Sequence, residues 1–424
     1  MAFLQNRIKS FVGRLLGSKD GKTLLKNFSY LSILEMTSHF FPLITTPYLA
    51  RVIGVKGFGI LAIGTAVIAY FQSFTNYGFV YTSVRDAARN RSNTEQFSAI
   101  VSKTFFSKMV LMLLSFSIIA VCTLTIPFFR DNSVVIWCTA LLLPGHVLNT
   151  DWVFQALEDM KYITIRSILT KLLFTLLVFV IIRHKDDYLW QPILTAIGTL
   201  IPSVWGLYIL RRKFNYRVII PSLKEVFHQL VSGFNMFITV FLPTVYTNFN
   251  VLLLSAYNGK QATGIYSGGT KFTSIAFSLF QLLSRTFFPF FARRMDAHKL
   301  YVIFSLSLSV IISLLFFVFA RPIVMIFLGA EFEETVNVLR IVAFTPIAMS
   351  LMNSYGINYL VLKGKEGLMR SIILFVTFVG IGFGIIGAIY FSYIGVACVS
   401  LLTQFLRASL ITFFAYRIKK NQKD

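Results

Sequence analysis

Stretches of about twenty consecutive apolar residues recur along nearly the whole chain, and no other feature limits its folding as strongly. A bilayer's hydrocarbon core is about 30 Å thick, and a helix rising about 1.5 Å per residue needs about 20 residues to cross it. The stretches run near 27–50, 58–82, 99–127, 134–155, 166–183 and 191–210, then near 231–256, 264–288, 300–320, 335–362, 371–390 and 393–415. Only 13% of the 424 residues are charged, against about 25% in soluble domains, which excludes a water-soluble core. Inside hydrocarbon each segment must satisfy its own backbone polar groups, so every stretch is expected to be helical. Pro42, Pro47 and Pro243 fall inside spans and are expected to kink them.

The basic stretch Arg211–Leu230 interrupts the series at its midpoint, with six spans before it and six after. The expected organisation is an amphipathic segment at 1–26, a six-helix lobe at 27–210, a linker at 211–230, a second six-helix lobe at 231–415 and a basic tail at 416–424. Within 1–26, Leu4, Ile8, Phe11, Val12, Leu15 and Leu16 recur at helical spacing between lysines and arginines, as an interfacial helix requires. No apolar core there leads to a small-residue cleavage site, so a cleaved signal is not expected. With the N-terminus in the cytoplasm, 26 of the 40 Lys and Arg fall in cytoplasmic segments and 7 in the opposite connections. That excess sets both termini in the cytoplasm.

The halves are related in sequence. Gly59-Ile60-Leu61-Ala62-Ile63-Gly64-Thr65 matches Gly264-Ile265-Tyr266-Ser267-Gly268-Gly269-Thr270, and Arg166-Ser167-Ile168 matches Arg370-Ser371-Ile372. An even number of helices per half inserts both halves in one orientation. The expected fold class is therefore all-α integral membrane, about twelve helices in two six-helix lobes about a pseudo-two-fold axis along the membrane normal, with a substrate site between them.

The net charge of +23 sits mostly between spans, so it is read as facing anionic headgroups, with no nucleic acid as partner. Cys122, Cys138 and Cys398 match no zinc or disulfide spacing and are expected to pack. No cofactor, nucleotide or metal motif occurs. Seven bases remain inside spans: Lys103, Lys108, Lys171, Lys271, Arg285, Arg340 and Arg407. A charge facing lipid at mid-depth costs about 2.5–3.5 kcal/mol, so such groups face a bundle interior or a wet cavity unless they snorkel from a span end. Lys108, Lys271 and Arg407 lie deepest; Lys171, Arg285 and Arg340 complete the candidate set for an anionic, phosphate-bearing substrate.

Glu35 and His39, one helical turn apart, either carry a proton or sodium ion or pair with a buried base. Asp151 is a third coupling candidate, or pairs with Lys171 on the next helix. Asn235, Thr244, Thr247, Asn248 and Asn250 either bind sugar hydroxyls or join helix to helix.

Several segments resemble one family. Pro47-Tyr48-Leu49-Ala50-Arg51-Val52-Ile53-Gly54 with Gly57-Phe58-Gly59, then Tyr77-Gly78-Phe79 and Thr82-Ser83-Val84-Arg85-Asp86, are similar to segments of Wzx-type O-antigen and polysaccharide flippases. So are Trp152–Lys161, where Ala156 replaces the usual glycine, and Asn250–Leu254 through Gly264–Ser267. These flippases belong to the multidrug/oligosaccharidyl-lipid/polysaccharide exporter superfamily. The resemblance implies a bacterial inner-membrane protein, not an enzyme, that moves undecaprenyl-diphosphate-linked oligosaccharide to the periplasmic leaflet by alternating access. It implies coupling to H+ or Na+, with membrane lipid and the pathway's polymerase and chain-length regulator as partners.

Two other readings fit less well. A multidrug exporter typically takes cationic substrates, which seven in-span bases would repel. A glycan polymerase or ligase needs a constellation outside the membrane, and the connections on that face are short.

Overall fold

The computed structural model describes residues 19–291 and 298–420, and these contain helices and turns but no strand. In chain order the main helices are α1 (Lys19–Asn76), α2 (Phe79–Arg89), α3 (Thr94–Thr125), α4 (Ser133–Ala140), α5 (Leu142–Val147), α6 (Asp151–Ala156) and α7 (Lys161–Ile181). After them come α8 (Trp190–Lys213), α9 (Leu223–Phe291), α10 (His298–Val318), α11 (Thr335–Val342), α12 (Thr345–Leu351), a π-helix (Met352–Val361) and α13 (Glu366–Lys420).

Three of these are too long for one crossing. Helices α1, α9 and α13 hold 58, 69 and 55 residues, which straight would measure about 87, 104 and 83 Å. Each breaks internally: α1 at Gly54 (φ 67°, ψ −179°), α9 at Gly259 (φ 81°, ψ −178°) and α13 at Ser392 (φ 52°, ψ −140°). The chain doubles back at such a break. A Cβ on Gly387 would lie 3.0 Å from the carbonyl carbon of Gly395, whereas eight residues of straight helix would separate them by about 12 Å. Helix α1 runs through Pro42 and Pro47, where kinks were expected, and its non-helical torsions fall at Gly54.

Eight helices among the described residues are long and apolar enough to cross a bilayer, two of them 54-residue runs, Met36–Arg89 and Gly367–Lys420, that span a break. Splitting those two and adding the legs of α9 on either side of Gly259 gives twelve legs, six before and six after residues 214–222. That connection is shorter than the 211–230 read from the sequence. Arg211, Arg212 and Lys213 form the last turn of α8, where positive charge complements the helix dipole.

The two-fold relation is visible at the hairpin tips. Gly54 and Gly259 are 205 residues apart and share nearly the same torsions, which are open to glycine because it lacks a Cβ. A Cβ on Gly59 would overlap the carbonyl oxygen of Lys260, and one on Gly264 would overlap that of Val55. Both partners are again 205 residues apart. Such reciprocity, in which each element makes on its mate the contact it receives, marks a two-fold interface. A buried cluster including Ala50, Val55, Leu254, Ile265, Phe332 and Leu339 joins the lobes at this end. The ring of Phe58 meets that of Phe332 edge-on at 5.7 Å. The fourth span of each lobe is interrupted, as α4–α5–α6 in one and as α11–α12–π-helix in the other.

Candidate functional site

A cavity of about 740 Å³ opens between the legs of α1, the α5–α6 corner, α7, α8 and the two legs of α9. Most of its wall belongs to the first lobe, and Asn248, Val251, Ser267 and Lys271 come from the second. Hydroxyls of Ser38, Thr45, Thr65, Ser167 and Thr195 are interspersed with apolar wall such as Phe41, Phe58 and Phe174.

Its charged groups are Asp151, Arg166, Lys171 and Lys271. Lys171, on α7, donates from Nζ to Ser38 Oγ on α1 at 2.7 Å. Lys271 lies one turn after Ser267 on the second leg of α9, so both face the cavity from the same side. The floor is a buried ion pair. Arg166 Nη2 donates to Asp151 Oδ1 at 2.8 Å, Nη1 to Thr150 Oγ1 at 3.0 Å and to the Pro202 carbonyl, and Nε to the Tyr162 carbonyl at 2.9 Å. Its guanidinium carbon lies 5.0 Å from the Phe154 ring centroid. Gly206 of α8 makes room for it, because a Cβ there would overlap both Arg166 Nη1 and Thr150 Oγ1.

The Arg166 side chain is 3% exposed and that of Asp151 is 39% exposed, so the carboxylate is the member that reaches the cavity. Three cations and one carboxylate line the site among the described residues, and Arg166 already neutralises that carboxylate. Lys171 and Lys271 are the other two cations, one from each lobe.

The other candidates are placed elsewhere. Lys108 is buried behind the cavity, its Nζ 5.8 Å from the Trp152 ring centroid, next in sequence to the carboxylate-bearing Asp151. Neighbouring Ser107 donates to Gln229 Oε1 of α9 at 2.8 Å. Arg407 is half-buried on the second leg of α13 and Arg340 is exposed on α11; neither lines the cavity. The side chains of Arg285, Glu35 and His39 lie outside the described residues.

Asp151 was read either as a coupling group or as a partner of Lys171, one helix on; the ion pair it makes is with Arg166, on that same helix and five residues earlier. The helix turns Arg166 toward α6 and α8 while Lys171 faces α1. Of the amide and hydroxyl cluster, Asn248 lines the cavity, while Thr244 contacts Ser73 Oγ at 3.4 Å and Asn250 Nδ2 donates to Tyr266 OH at 3.4 Å, joining helices. The side chains of Asn235 and Thr247 lie outside the described residues. Sequence reasoning passed over Arg166 by counting it with the loop bases at the end of the fourth span. Its depth was legible in principle, since it stands five residues inside α7.

Twelve crossings in two pseudo-symmetric lobes around a shared cavity define a multi-pass membrane protein of the transporter type. The fold matches an inward-facing multidrug-resistance MATE family transporter of the MOP superfamily, with a TM-score of 0.71, 14% identity and coverage of 94% of this chain and 99% of that one. It also matches the lipid II flippase MurJ in an inward closed conformation, at TM-score 0.61 and 12% identity over 88% of this chain and 87% of that one.

The sequence places it more closely: the profile of the polysaccharide biosynthesis protein family matches residues 24–295, and the chain belongs to that family. A "Putative O-antigen transporter" of Escherichia coli K12 is 25% identical over 400 residues, covering 92% of this chain and 96% of the relative. One of the same description from Shigella dysenteriae is 25% identical over 354 residues, covering 82% and 88%.

Proposed function

We propose that this protein is a flippase that carries undecaprenyl-diphosphate-linked oligosaccharide across the bacterial inner membrane by alternating access between its two lobes. One observation carries the reading: Lys171 of the first lobe and Lys271 of the second face a common cavity. A diphosphate bridging them replaces water on two ammonium groups in a site of low dielectric, where charge-assisted hydrogen bonds are strongest. The wall hydroxyls are suited to the sugar, and the isoprenoid tail stays in the bilayer. A cationic drug would meet the same lysines as like charges. The direction is from the cytoplasmic to the periplasmic leaflet, with both termini cytoplasmic, as the distribution of Lys and Arg supports.

Of the six bases read as candidates, we assign Lys171 and Lys271 to the diphosphate and give Lys108 a supporting position behind Asp151. Glu35, with His39 one turn on, is assigned to coupling by H+ or Na+. The test is surface polysaccharide in cells whose own flippase is deleted. Lys171→Ala and Lys271→Ala are each expected to reduce display about tenfold or more, the effect of losing a charged hydrogen bond of about 1.5–3 kcal/mol. Arginine at either position should restore part of it. Full display by the double alanine variant, at normal protein level, refutes the assignment. Transport in vesicles should respond to an imposed proton or sodium gradient, and Glu35→Gln should blunt that response.

A further inference from the structure

The connection between the lobes has a surface that neither the cavity nor the packing of helices accounts for. Its backbone is pinned to the start of α3: Arg217 N donates to Ser98 Oγ at 3.2 Å, Ile219 N to Ser102 Oγ at 3.0 Å, and Tyr216 OH meets Ser102 Oγ at 2.9 Å. Burial of that phenol raises its pKa above the ordinary tyrosine value. With one side held against α3, the apolar side chains of the segment are turned outward. Ile220 is 80% exposed, Leu223 83% and Phe227 69%, and Val231 and Phe234 continue the line. On α9, positions 223, 227, 231 and 234 follow the four- and three-residue steps of one helix face.

Two further observations say what covers that face. The first leg of α9, from Leu223 to the break at Gly259, holds 36 residues before the glycine, about 54 Å and well beyond a hydrocarbon core of about 30 Å. The surplus does not continue straight, because Leu223–Phe234 is bent 55° from Met236–Leu242. The flanking charge is one-sided: Arg211, Arg212, Lys213, Arg217 and Lys224 are all exposed, against the single acid Glu225. An apolar stripe bordered by cations, on a helix inclined away from the crossing leg, has the form of an interfacial element.

We propose that residues 218–234 lie in the headgroup layer of the bilayer. Their apolar stripe is sunk at the acyl boundary and the surrounding cations engage anionic phospholipid. The bilayer thereby holds the only covalent tether between the lobes in the membrane plane. Gln229, on this helix, accepts from Ser107 at 2.8 Å and donates to Thr104 at 3.2 Å. The tether's position is thus transmitted to α3 beside Lys108. The proposal holds whatever substrate the cavity takes.

The test uses full-length protein with Cys122, Cys138 and Cys398 replaced by alanine, reconstituted in nanodiscs of mixed phosphatidylethanolamine and phosphatidylglycerol. Single substitutions Ile220→Cys, Leu223→Cys, Phe227→Cys and Val231→Cys, with the exposed Glu225→Cys and Ser232→Cys as the opposite face, carry a nitroxide label. Collision with dissolved oxygen is expected to dominate on the stripe and collision with a nickel chelate on the opposite face. Exchanging phosphatidylglycerol for phosphatidylcholine, or introducing Arg217→Glu with Lys224→Glu, is expected to move the stripe labels toward the nickel chelate. Nickel access at the stripe equal to that at Ser232→Cys overturns the proposal by showing bulk water there. Protection from both agents overturns it by showing a protein partner. Indifference to lipid charge overturns the headgroup contact.

Discussion

Gly206→Ala tests whether the cavity floor is built as described. In the middle of a helix alanine is ordinarily favoured over glycine by about 1 kcal/mol, so at a neutral position of α8 the change would stabilise. Here the new methyl group overlaps Arg166 Nη1 and Thr150 Oγ1. If the guanidinium shifts while keeping Asp151, the cost is that of overpacking, about 1–3 kcal/mol. If the pair separates, an uncompensated buried charge costs about 3–5 kcal/mol. Arg166 is held by four donated hydrogen bonds on three sides, so little room exists for a compromise position. Separation is expected, and the net loss is about 2–4 kcal/mol after the helix-propensity gain.

The assay is thermal inactivation of the detergent-purified protein, followed by loss of its monodisperse size-exclusion peak, for Gly206→Ala in two backgrounds. In the parent background the midpoint should fall. In an Arg166→Met, Asp151→Asn, Thr150→Ala background, which removes both groups that the methyl strikes, most of that penalty should disappear, as coupled neighbours require. An unchanged midpoint, or equal penalties in both backgrounds, would refute the geometry of the floor.

Three other outcomes are expected. Gly264→Val places branched carbon against the Val55 carbonyl, so it should hold the lobes apart at the hairpin tips and abolish transport; spin-label distances between the tips should lengthen, and unchanged distances would contradict the crossing. Lys185 Nζ meets Glu331 Oε1 at 2.6 Å across the lobes, but both side chains are more than half exposed. Glu331→Lys should therefore shift opening at that end by no more than about fivefold, the equivalent of about 1 kcal/mol, and Lys185→Glu should reverse the shift. Tyr48 OH donates to the Ile182 carbonyl at 2.7 Å, and Tyr48→Phe should cost about 0.5–1.5 kcal/mol, read as a small loss of thermal stability with transport retained.

The crossings and their grouping were legible before any coordinates because they are written locally. An apolar run of sufficient length must be a helix in hydrocarbon, whatever its neighbours. The repeat around Gly59 and Gly264 needed only a comparison of the halves, and the structure shows those glycines packed reciprocally on their mates' backbones. The candidate site was legible only in part. Lys171 and Lys271 share a cavity, whereas Lys108, equally deep along its helix, is sealed behind Trp152. Depth follows from counting residues, but the direction of a side chain depends on how its helix is rotated against others.

By itself, then, the sequence determined what the chain dissolves in and that its helices form two lobes, since solvent and length act on each segment separately. Only the tertiary structure decided which charges meet. Arg166 and Asp151 stand on different helices, and their 2.8 Å contact exists because α6, α7 and α8 converge where Gly206 leaves space. A buried ion pair is favourable only when both partners and their hydrogen bonds arrive together, and that is a property of packing among helices.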